Sequence, residues 1–173
     1  LVVQQSIFTR RGVDRVLCYA FELAQQRPAR HLSSATKSNG IVHSMPYWDA
    51  RVAEMAASYP EVVTDQYHID ILTANFVRMP EHFDVVVGSN LFGDILSDLG
   101  AGLVGGMGMA PCAELGERHG LFQPAHGSAP DIAGRNQANP TAMLLSAALM
   151  LDWLGERHDL AACRAAARRL EAA

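Results

Sequence analysis

The stretch FDVVVGSNLFGDILSDLG, residues 83–100, decides the fold. Its opening, residues 84–88, is a short apolar run bounded by turn residues, which is typical of a strand buried on both faces. From residue 91 to residue 99 the apolar side chains return at helical spacing. A buried strand that runs at once into a helix indicates α/β architecture.

The same alternation of helix and strand continues toward the N-terminus. Helical spacing over residues 13–24 precedes a strand-like piece at 32–36, and a helical pattern over about 46–59 precedes a second strand at 62–67. A further helix is predicted over residues 69–79, before Pro80. Three alternations in sequence predict an α/β fold.

Downstream of the deciding stretch the pattern is less regular. Residues 100–108 are rich in glycine, which allows backbones to approach closely or the chain to bend. A short strand is predicted at 121–125 and an irregular loop at 126–139. A long apolar helix over 140–154 and a second helix after it complete the pattern.

Composition excludes several classes of protein. The 173 residues are 49% hydrophobic and 18% charged, which suits a packed core. A formal charge of -4 without a basic block gives nucleic-acid binding little support. We expect no membrane span, because no apolar run reaches about 18 residues. Three scattered cysteines predict free thiols in a reducing compartment such as the cytoplasm.

Asp94 and Asp98 are candidate metal ligands. Four residues apart, they share one face of a helix, where two like charges repel unless a cation or wide solvent exposure offsets the repulsion. Mg²⁺ prefers such oxygen ligands. A solvated helix face with capping aspartates is the alternative. Asp70, at the start of a predicted helix, is either a first-turn acid or a third carboxylate of the same site.

Lys37 is the candidate for proton transfer. It stands at the end of a predicted strand, in the turn composition Lys37-Ser38-Asn39-Gly40, where a side chain can face a substrate crevice. It is the only lysine of the chain, and the other thirteen basic residues are arginines. An exposed turn lysine without a role is the alternative.

The loop HGSAPDIAG, residues 126–134, is the candidate cofactor site. It offers a histidine, small residues that allow close approach, and an acid that could accept ribose hydroxyls and would repel a 2′-phosphate. The loop itself is not a GxGxxG fingerprint, and no GxSxG, HExxH or CxxC motif occurs in the chain. The six other histidines show no metal-ligand spacing, and the sequence assigns them no role.

Four motifs together resemble the isocitrate/isopropylmalate/tartrate dehydrogenase superfamily, and its D-malate/tartrate branch most closely. They are ATKSNG at 35–40, QYHIDILTANF at 66–76, the deciding stretch at 83–100, and HGSAPDIAG at 126–134 followed by Asn139-Pro140. The stretches that look closest to the branch are FTRRGVDRV at 8–16, TKSNG at 36–40 with MPYWD at 45–49, and HIDIL at 68–72. The resemblance implies an isopropylmalate dehydrogenase-like α/β fold with a large mixed sheet flanked by helices. It also implies that the chain is a fragment, roughly the second half of a family member. We expect residues 1–103 to belong to the substrate and dimer-interface domain, and 104–173 to the cofactor-binding domain.

The resemblance assigns roles to the candidate residues. Lys37 matches the catalytic lysine, and Asp94 and Asp98 match ligands of Mg²⁺ or Mn²⁺. Asp70 matches a metal-site aspartate that the neighbouring subunit supplies, as it does the lysine, so we expect a homodimer with shared active sites. The adenosine side of the cofactor site is matched by His126, Gly127, Ser128, Ala129, Pro130, Asp131, Ile132 and Asn139. Asp131 and Ile132 replace a lysine and a tyrosine of NADP-dependent relatives, which favours NAD.

The implied activity is NAD-dependent oxidative decarboxylation, or oxidation, of a malate- or tartrate-type 2-hydroxy acid. Two alternatives stay open, a 3-isopropylmalate dehydrogenase and a non-catalytic dimerising remnant. Phe8 stands where the family has a proton-donating tyrosine, which leaves that role to Tyr67 or a water or impairs decarboxylation. Gln123 stands where many family members have a glutamate shortly before the histidine of the cofactor loop, and this replacement is expected to weaken support of that loop. Because the family's N-terminal half carries the substrate-binding arginines, this chain alone is expected to be inactive.

Overall fold

The computed structural model describes residues 1–172. The chain folds as two compact units, residues 1–97 and the part from Asp98 onward. The boundary falls within one helix, α4, which spans Asn90–Leu103. The predicted division at 103/104 into substrate and cofactor domains stays a prediction.

The first unit is built on a parallel sheet of three strands. Strand β1 (His31–Thr36) lies between β2 (Val63–His68) and β3 (Val85–Val87). The connections run through helices, as parallel strands require. These helices are α1 (Arg10–Gln26), before the sheet, α2 (Ser44–Ala56), and α3 (Ile69–Arg78).

Helix α1 shows how the local sequence sets an element. The Thr9 hydroxyl accepts a hydrogen bond from the Gly12 N–H at 3.1 Å, which satisfies one of the free donors at the helix start. The buried residues then follow at helical spacing, and they are Val13, Leu17, Ala20, Phe21 and Ala24. Helix α1 therefore has one apolar face, which packs toward β1 and β3.

The core of the first unit lies between α1, α2 and the sheet. Strand β1 is buried along five of its six residues, as expected of a central strand. Trp48 of α2 is 1% exposed, and its indole N–H donates to the Ser34 hydroxyl of β1 at 3.0 Å. This hydrogen bond joins α2 to the sheet inside an otherwise apolar core.

The second unit pairs an antiparallel ribbon with two helices. Strand β4 (Pro111–Leu115) pairs with β5 (Gly120–Pro124), and both contact α5 (Thr141–Arg157). Helix α6 (Ala161–Glu171) packs closely on α5 at Gly155, where an added Cβ would lie 2.5 Å from Arg164 Cγ. Glycine is thus required where these two helices meet.

The α/β class predicted from the sequence is confirmed. Within residues 1–172 the strands form two separate sheets, one parallel and one antiparallel. Strand β4 was not predicted, because it begins at a proline and lacks a run of β-branched residues. Helix α2 begins at Ser44, two residues before the predicted start, and His43 precedes it without a side-chain cap. None of the described helices has the length and apolar character needed to cross a membrane.

We expect Ser34→Ala to lower the free energy of unfolding by about 1–3 kcal/mol, because it leaves the buried Trp48 N–H without an acceptor. In a Trp48→Phe background the same change should be nearly neutral. Urea unfolding of the four proteins of this double-mutant cycle measures the difference.

Thr36→Val is the matched control in the same strand. The Thr36 hydroxyl is buried and has no hydrogen-bond partner among the described residues, so its removal should not destabilise the chain. An equal loss of unfolding free energy in Thr36→Val and Ser34→Ala would show that any substitution in β1 is destabilising, and would contradict a specific contribution of the Ser34–Trp48 hydrogen bond.

Candidate active site

Lys37 and Asp70 meet where two parallel strands end. The register of β1 on β2 pairs Thr36 with His68, so both strands end at the same level. Lys37 follows β1 directly, and Asp70 lies in the first turn of α3, directly after β2. Lys37 Nζ lies 2.8 Å from Asp70 Oδ2. The structure therefore brings together two of the predicted site residues.

The backbone holds both residues of this pair in place. The Lys37 carbonyl accepts hydrogen bonds from the N–H groups of Gly40, at 2.9 Å, and Ile41, at 2.8 Å, which closes the turn after β1. The Asp70 carbonyl accepts from the Thr73 hydroxyl at 2.8 Å. Asp70 is 66% exposed and Lys37 is 28% exposed, so the pair is open to a ligand.

The hydrogen bond from Lys37 lowers the pKa of Asp70. Partial burial raises this pKa, but the lysine and the N–H groups at the start of α3 outweigh burial. Asp70 is therefore an ionised carboxylate at neutral pH, able to offer oxygen ligands to a cation, and Lys37 lies beside it.

Asp94 and Asp98 both lie on α4 with their side chains exposed. On the same helix Phe92 and Leu96 are buried, so the two acids stand on its solvent side, one turn apart. This arrangement fits a pair of metal ligands and equally fits a solvated helix face.

The three predicted metal ligands do not form a cluster within one chain. Among residues 1–172, the only group of three or more His, Cys, Asp or Glu side chains with ligand atoms within 4.8 Å of one another consists of His31, Asp65 and His82. The resemblance takes Asp70 from a neighbouring subunit, and the shared site accordingly stays a prediction.

A groove of about 540 Å³ in the first unit contains Phe8. Its wall includes Thr9, Trp48, Ser89 and Phe92, and no tyrosine is among its lining residues in the described chain. The hydroxyl of Tyr67 instead lies 3.2 Å from His82 Nε2. The structure therefore offers no phenol in place of the phenyl ring of Phe8 at this groove.

The predicted cofactor loop surrounds a cavity of about 860 Å³ in the second unit. Six of the eight predicted residues line it, namely His126, Gly127, Ser128, Ala129, Ile132 and Asn139. Pro130 and Asp131 do not line it; with Ile132 they form a single 3-10 turn beside it. The other lining residues were not among the predicted ones, and they are Ala133, Gly134, Asn136, Gln137 and Ala138 of the loop, with Met107 and Gly108 of the glycine-rich segment.

Local conformation gives this loop its shape. Ala129 has φ 42°, in the left-handed region that non-glycine residues rarely occupy, and the 3-10 turn starts directly after it. His126 Nδ1 lies 2.7 Å from the Gly127 carbonyl oxygen. A strained residue held by surrounding structure is a common feature of binding loops.

Asn139 anchors the far end of the loop. Its Oδ1 accepts from the Thr141 N–H at 3.0 Å, at the start of α5, and its Nδ2 lies 3.3 Å from Met109 Sδ. Gly108 lies so close that an added Cβ would come within 3.0 Å of Asn139 Cβ. The loop, α5 and the glycine-rich segment are thus packed against each other at this residue.

Sequence reasoning missed the cluster of His31, Asp65 and His82. Linear spacing gave no signal, because these residues are 34 and 17 positions apart. The signal was in the strand pairing, since β1 and β2 in parallel register place His31 and Asp65 on the same face of the sheet.

The chain belongs to the isocitrate/isopropylmalate dehydrogenase family, whose model matches residues 2–173. It is 62% identical over 158 residues to D-malate dehydrogenase [decarboxylating] of Escherichia coli, covering 90% of this chain and 44% of that protein. It is also 62% identical over 160 residues to tartrate dehydrogenase/decarboxylase of Pseudomonas putida, with the same two coverages. A 3-isopropylmalate dehydrogenase of Thermobifida fusca is 46% identical, over 90% of this chain and 45% of that protein.

A solved structure supports the family at the level of the fold. The isocitrate dehydrogenase of Methylococcus capsulatus superposes with a TM-score of 0.87 at 40% identity, over 96% of this chain and 47% of that one. The chain thus spans less than half the length of the relatives that it matches.

We expect Lys37→Met to raise the pKa of Asp70 toward its ordinary value, because the hydrogen bond from Lys37 is the main cause of the lowering. The stabilisation that the depressed pKa supplies is present above the unfolded-state pKa and is lost as the pH falls through the folded-state pKa. NMR titration of the side-chain carboxyl carbons in metal-free buffer measures the change.

Asp14 is the internal control in the same spectra. A hydrogen bond from Arg51 lowers its pKa, so Lys37→Met should leave it unchanged. An Asp70 pKa that does not move in this variant would show that the observed pair does not persist in solution.

Proposed function

We propose that this chain is part of an NAD-dependent, metal-assisted dehydrogenase that oxidises and decarboxylates a D-malate- or tartrate-type 2-hydroxy acid. The observation that carries the proposal is the Lys37–Asp70 pair at the carboxyl end of a parallel sheet, where α/β proteins bind ligands. The relatives at 62% identity, named as D-malate and tartrate dehydrogenases, support the substrate class.

The donor set suits a hard divalent cation. Asp70, Asp94 and Asp98 offer carboxylate oxygens only, which Mg²⁺ and Mn²⁺ prefer over nitrogen or sulfur. When bound, such an ion would polarise the substrate's oxygen atoms, and bound NAD would accept the hydride. In the proposal these three aspartates hold the ion, and Asp70 does so opposite Asp94 and Asp98 of a partner subunit.

Lys37 is the proposed proton carrier for the substrate hydroxyl. In its neutral amine form Lys37 would accept the proton of the substrate hydroxyl, and its Nζ, 2.8 Å from Asp70 Oδ2, would do so beside a group that holds the cation. Phe8 provides no proton at its groove, and we assign reprotonation after loss of CO₂ to a water molecule that this groove admits.

The cavity enclosed by the loop fits the adenosine end of NAD. About 860 Å³ lies within the usual range of ligand pockets. Its lining consists of small residues, amide side chains, one histidine, Met107 and Ile132, and contains no lysine or arginine in the described chain. Such a wall offers no counter-charge to a 2′-phosphate, which favours NAD over NADP.

Steady-state assays of the longest natural protein that contains this chain test the substrate. With NAD and Mn²⁺, we expect kcat/KM for D-malate or tartrate to exceed that for 3-isopropylmalate by at least about tenfold. Lys37→Met should lower kcat by about 10²–10⁴-fold, the usual contribution of a positioned acid–base group.

Arg118→Gln, an exposed change in the hairpin between β4 and β5, is the control and should leave kcat unchanged. A clear preference for 3-isopropylmalate would contradict the proposed substrate. Absence of turnover with all three acids would support the non-catalytic remnant instead.

We expect Gly108→Ala to weaken NAD binding by roughly tenfold, equivalent to about 1.4 kcal/mol. The added methyl group would displace Asn139 and with it the loop that forms the cavity. Isothermal titration with NAD measures the affinity.

Gly102→Ala is the matched control, because an added Cβ there meets no atom within 4 Å. An unchanged affinity in Gly108→Ala would place the cofactor away from this cavity.

A further inference from the structure

Two histidines and an aspartate meet at the end of the sheet opposite Lys37. His31 Nε2 lies 3.0 Å from Asp65 Oδ2, and His82 Nε2 lies 3.2 Å from the same oxygen. All three ligand atoms lie within 4.8 Å of one another. The side chains are accessible to different degrees, with His31 15%, Asp65 28% and His82 40% exposed.

The sheet itself brings these residues together. His31 is the first residue of β1, and Asp65 pairs with Ser33, two residues further on, so both side chains stand on one face. His82 comes from the 3-10 turn Pro80–His82, which precedes β3 on the other side of β1. Three different segments thus contribute one nitrogen or oxygen atom each.

The hydrogen-bonding pattern of His31 leaves a place for a cation. Its Nδ1 lies 3.2 Å from the His82 carbonyl oxygen, and its Nε2 faces Asp65. Both partners are acceptors only, whereas a neutral imidazole has a single N–H. With the proton on Nδ1, the Nε2 lone pair points at a carboxylate, and either a second proton on Nε2 or a metal cation between the two atoms removes this repulsion.

Asp65 is ionised in this cluster. Burial raises the pKa of Asp65. The neighbouring Ser33 hydroxyl and the two imidazoles lower this pKa by more than burial raises it, so the net pKa lies below the ordinary value. A carboxylate shared by two imidazole nitrogens therefore carries the negative charge of the cluster.

We propose that His31, Asp65 and His82 bind one divalent transition-metal ion, of which Zn²⁺ is the representative. Two imidazole nitrogens and a carboxylate oxygen are a frequent zinc donor set, with ligand distances of about 2.0–2.2 Å. Tetrahedral ligands at such distances lie about 3.3 Å apart, close to the two nitrogen–oxygen separations found here. The fourth position is left to water.

The contact of His31 with a carbonyl oxygen also matches a metal site. Metal-binding histidines usually donate their other N–H to a carbonyl or carboxylate, which fixes the ring with its free nitrogen toward the metal. Nδ1 of His31 has such a partner in the His82 carbonyl oxygen. Because His82 is the most exposed of the three, its ring has room to turn toward a shared ion.

This site is separate from the proposed active site. Strand β1 has six residues, so at about 3.3 Å per residue His31 and Lys37 lie about 20 Å apart. The two donor sets also differ in chemistry, because Mg²⁺ prefers carboxylate oxygens and imidazole nitrogen suits zinc-like ions.

Competition between the full chain and a chromophoric zinc chelator, in excess Mg²⁺, tests the proposal. We expect one Zn²⁺ per chain, bound at least about tenfold more weakly in Asp65→Asn and in His82→Gln, since loss of an outer-shell partner alone costs 10–100-fold. His43→Gln, an exposed histidine of the same unit, and Asp94→Asn/Asp98→Asn should leave the affinity unchanged. Co²⁺ should give an intense visible absorption in the unaltered chain that is lost in His82→Gln.

Circular dichroism checks that the variants fold, and the exposed position of His82 makes His82→Gln the decisive one. No stoichiometric Zn²⁺ binding by the unaltered chain would overturn the proposal and leave a purely hydrogen-bonded cluster. Zinc affinity in His82→Gln and Asp65→Asn equal to that of the unaltered chain would overturn it as well. Zinc binding lost only in Asp94→Asn/Asp98→Asn would assign the ion to the proposed active site.

Discussion

The parallel pairing of β1 with β2 is the constraint on which the first unit depends. Its register places the two strand ends level, so the residues that follow them, Lys37 and Asp70, come within 2.8 Å. At the opposite end the same register places His31 and Asp65 on one face. A slip of one residue would turn every side chain of the slipped strand to the opposite face and separate both pairs.

Burial on the other face of β1 holds that register. Alternate residues of the strand point into a core that α1 and α2 cover, and Ser34 supplies the acceptor for Trp48 there. An unpaired indole N–H in this core would cost more than the hydrogen bond contributes, so the polar contact selects one alignment of α2 on the sheet. Packing of α2 against one face of β1 thereby holds the register that forms the Lys37–Asp70 pair at one end of the strand and the His31–Asp65 pair at the other.

The second unit achieves its binding geometry by backbone conformation. Its loop contains a left-handed alanine, Ala129, and its end is fixed by Asn139, which contacts both α5 and the glycine-rich segment. The glycines of that segment matter where side chains would collide, as at Gly108. A cavity with small walls can then receive a flat ligand without a lysine or arginine among its lining residues in the described chain.

The sequence alone determined the α/β class, the family and the loop that lines the cavity, because apolar periodicity and the motif HGSAPDIAG depend on local residue order. The sequence also indicated Lys37 and Asp70 as candidate site residues, each from its own local pattern. Only the tertiary structure decided that these two form an ion pair, that Asp131 lies outside the cavity wall, and that His31 meets His82. Such contacts follow from strand register and turn geometry, which join residues distant in the chain and leave no period in the sequence.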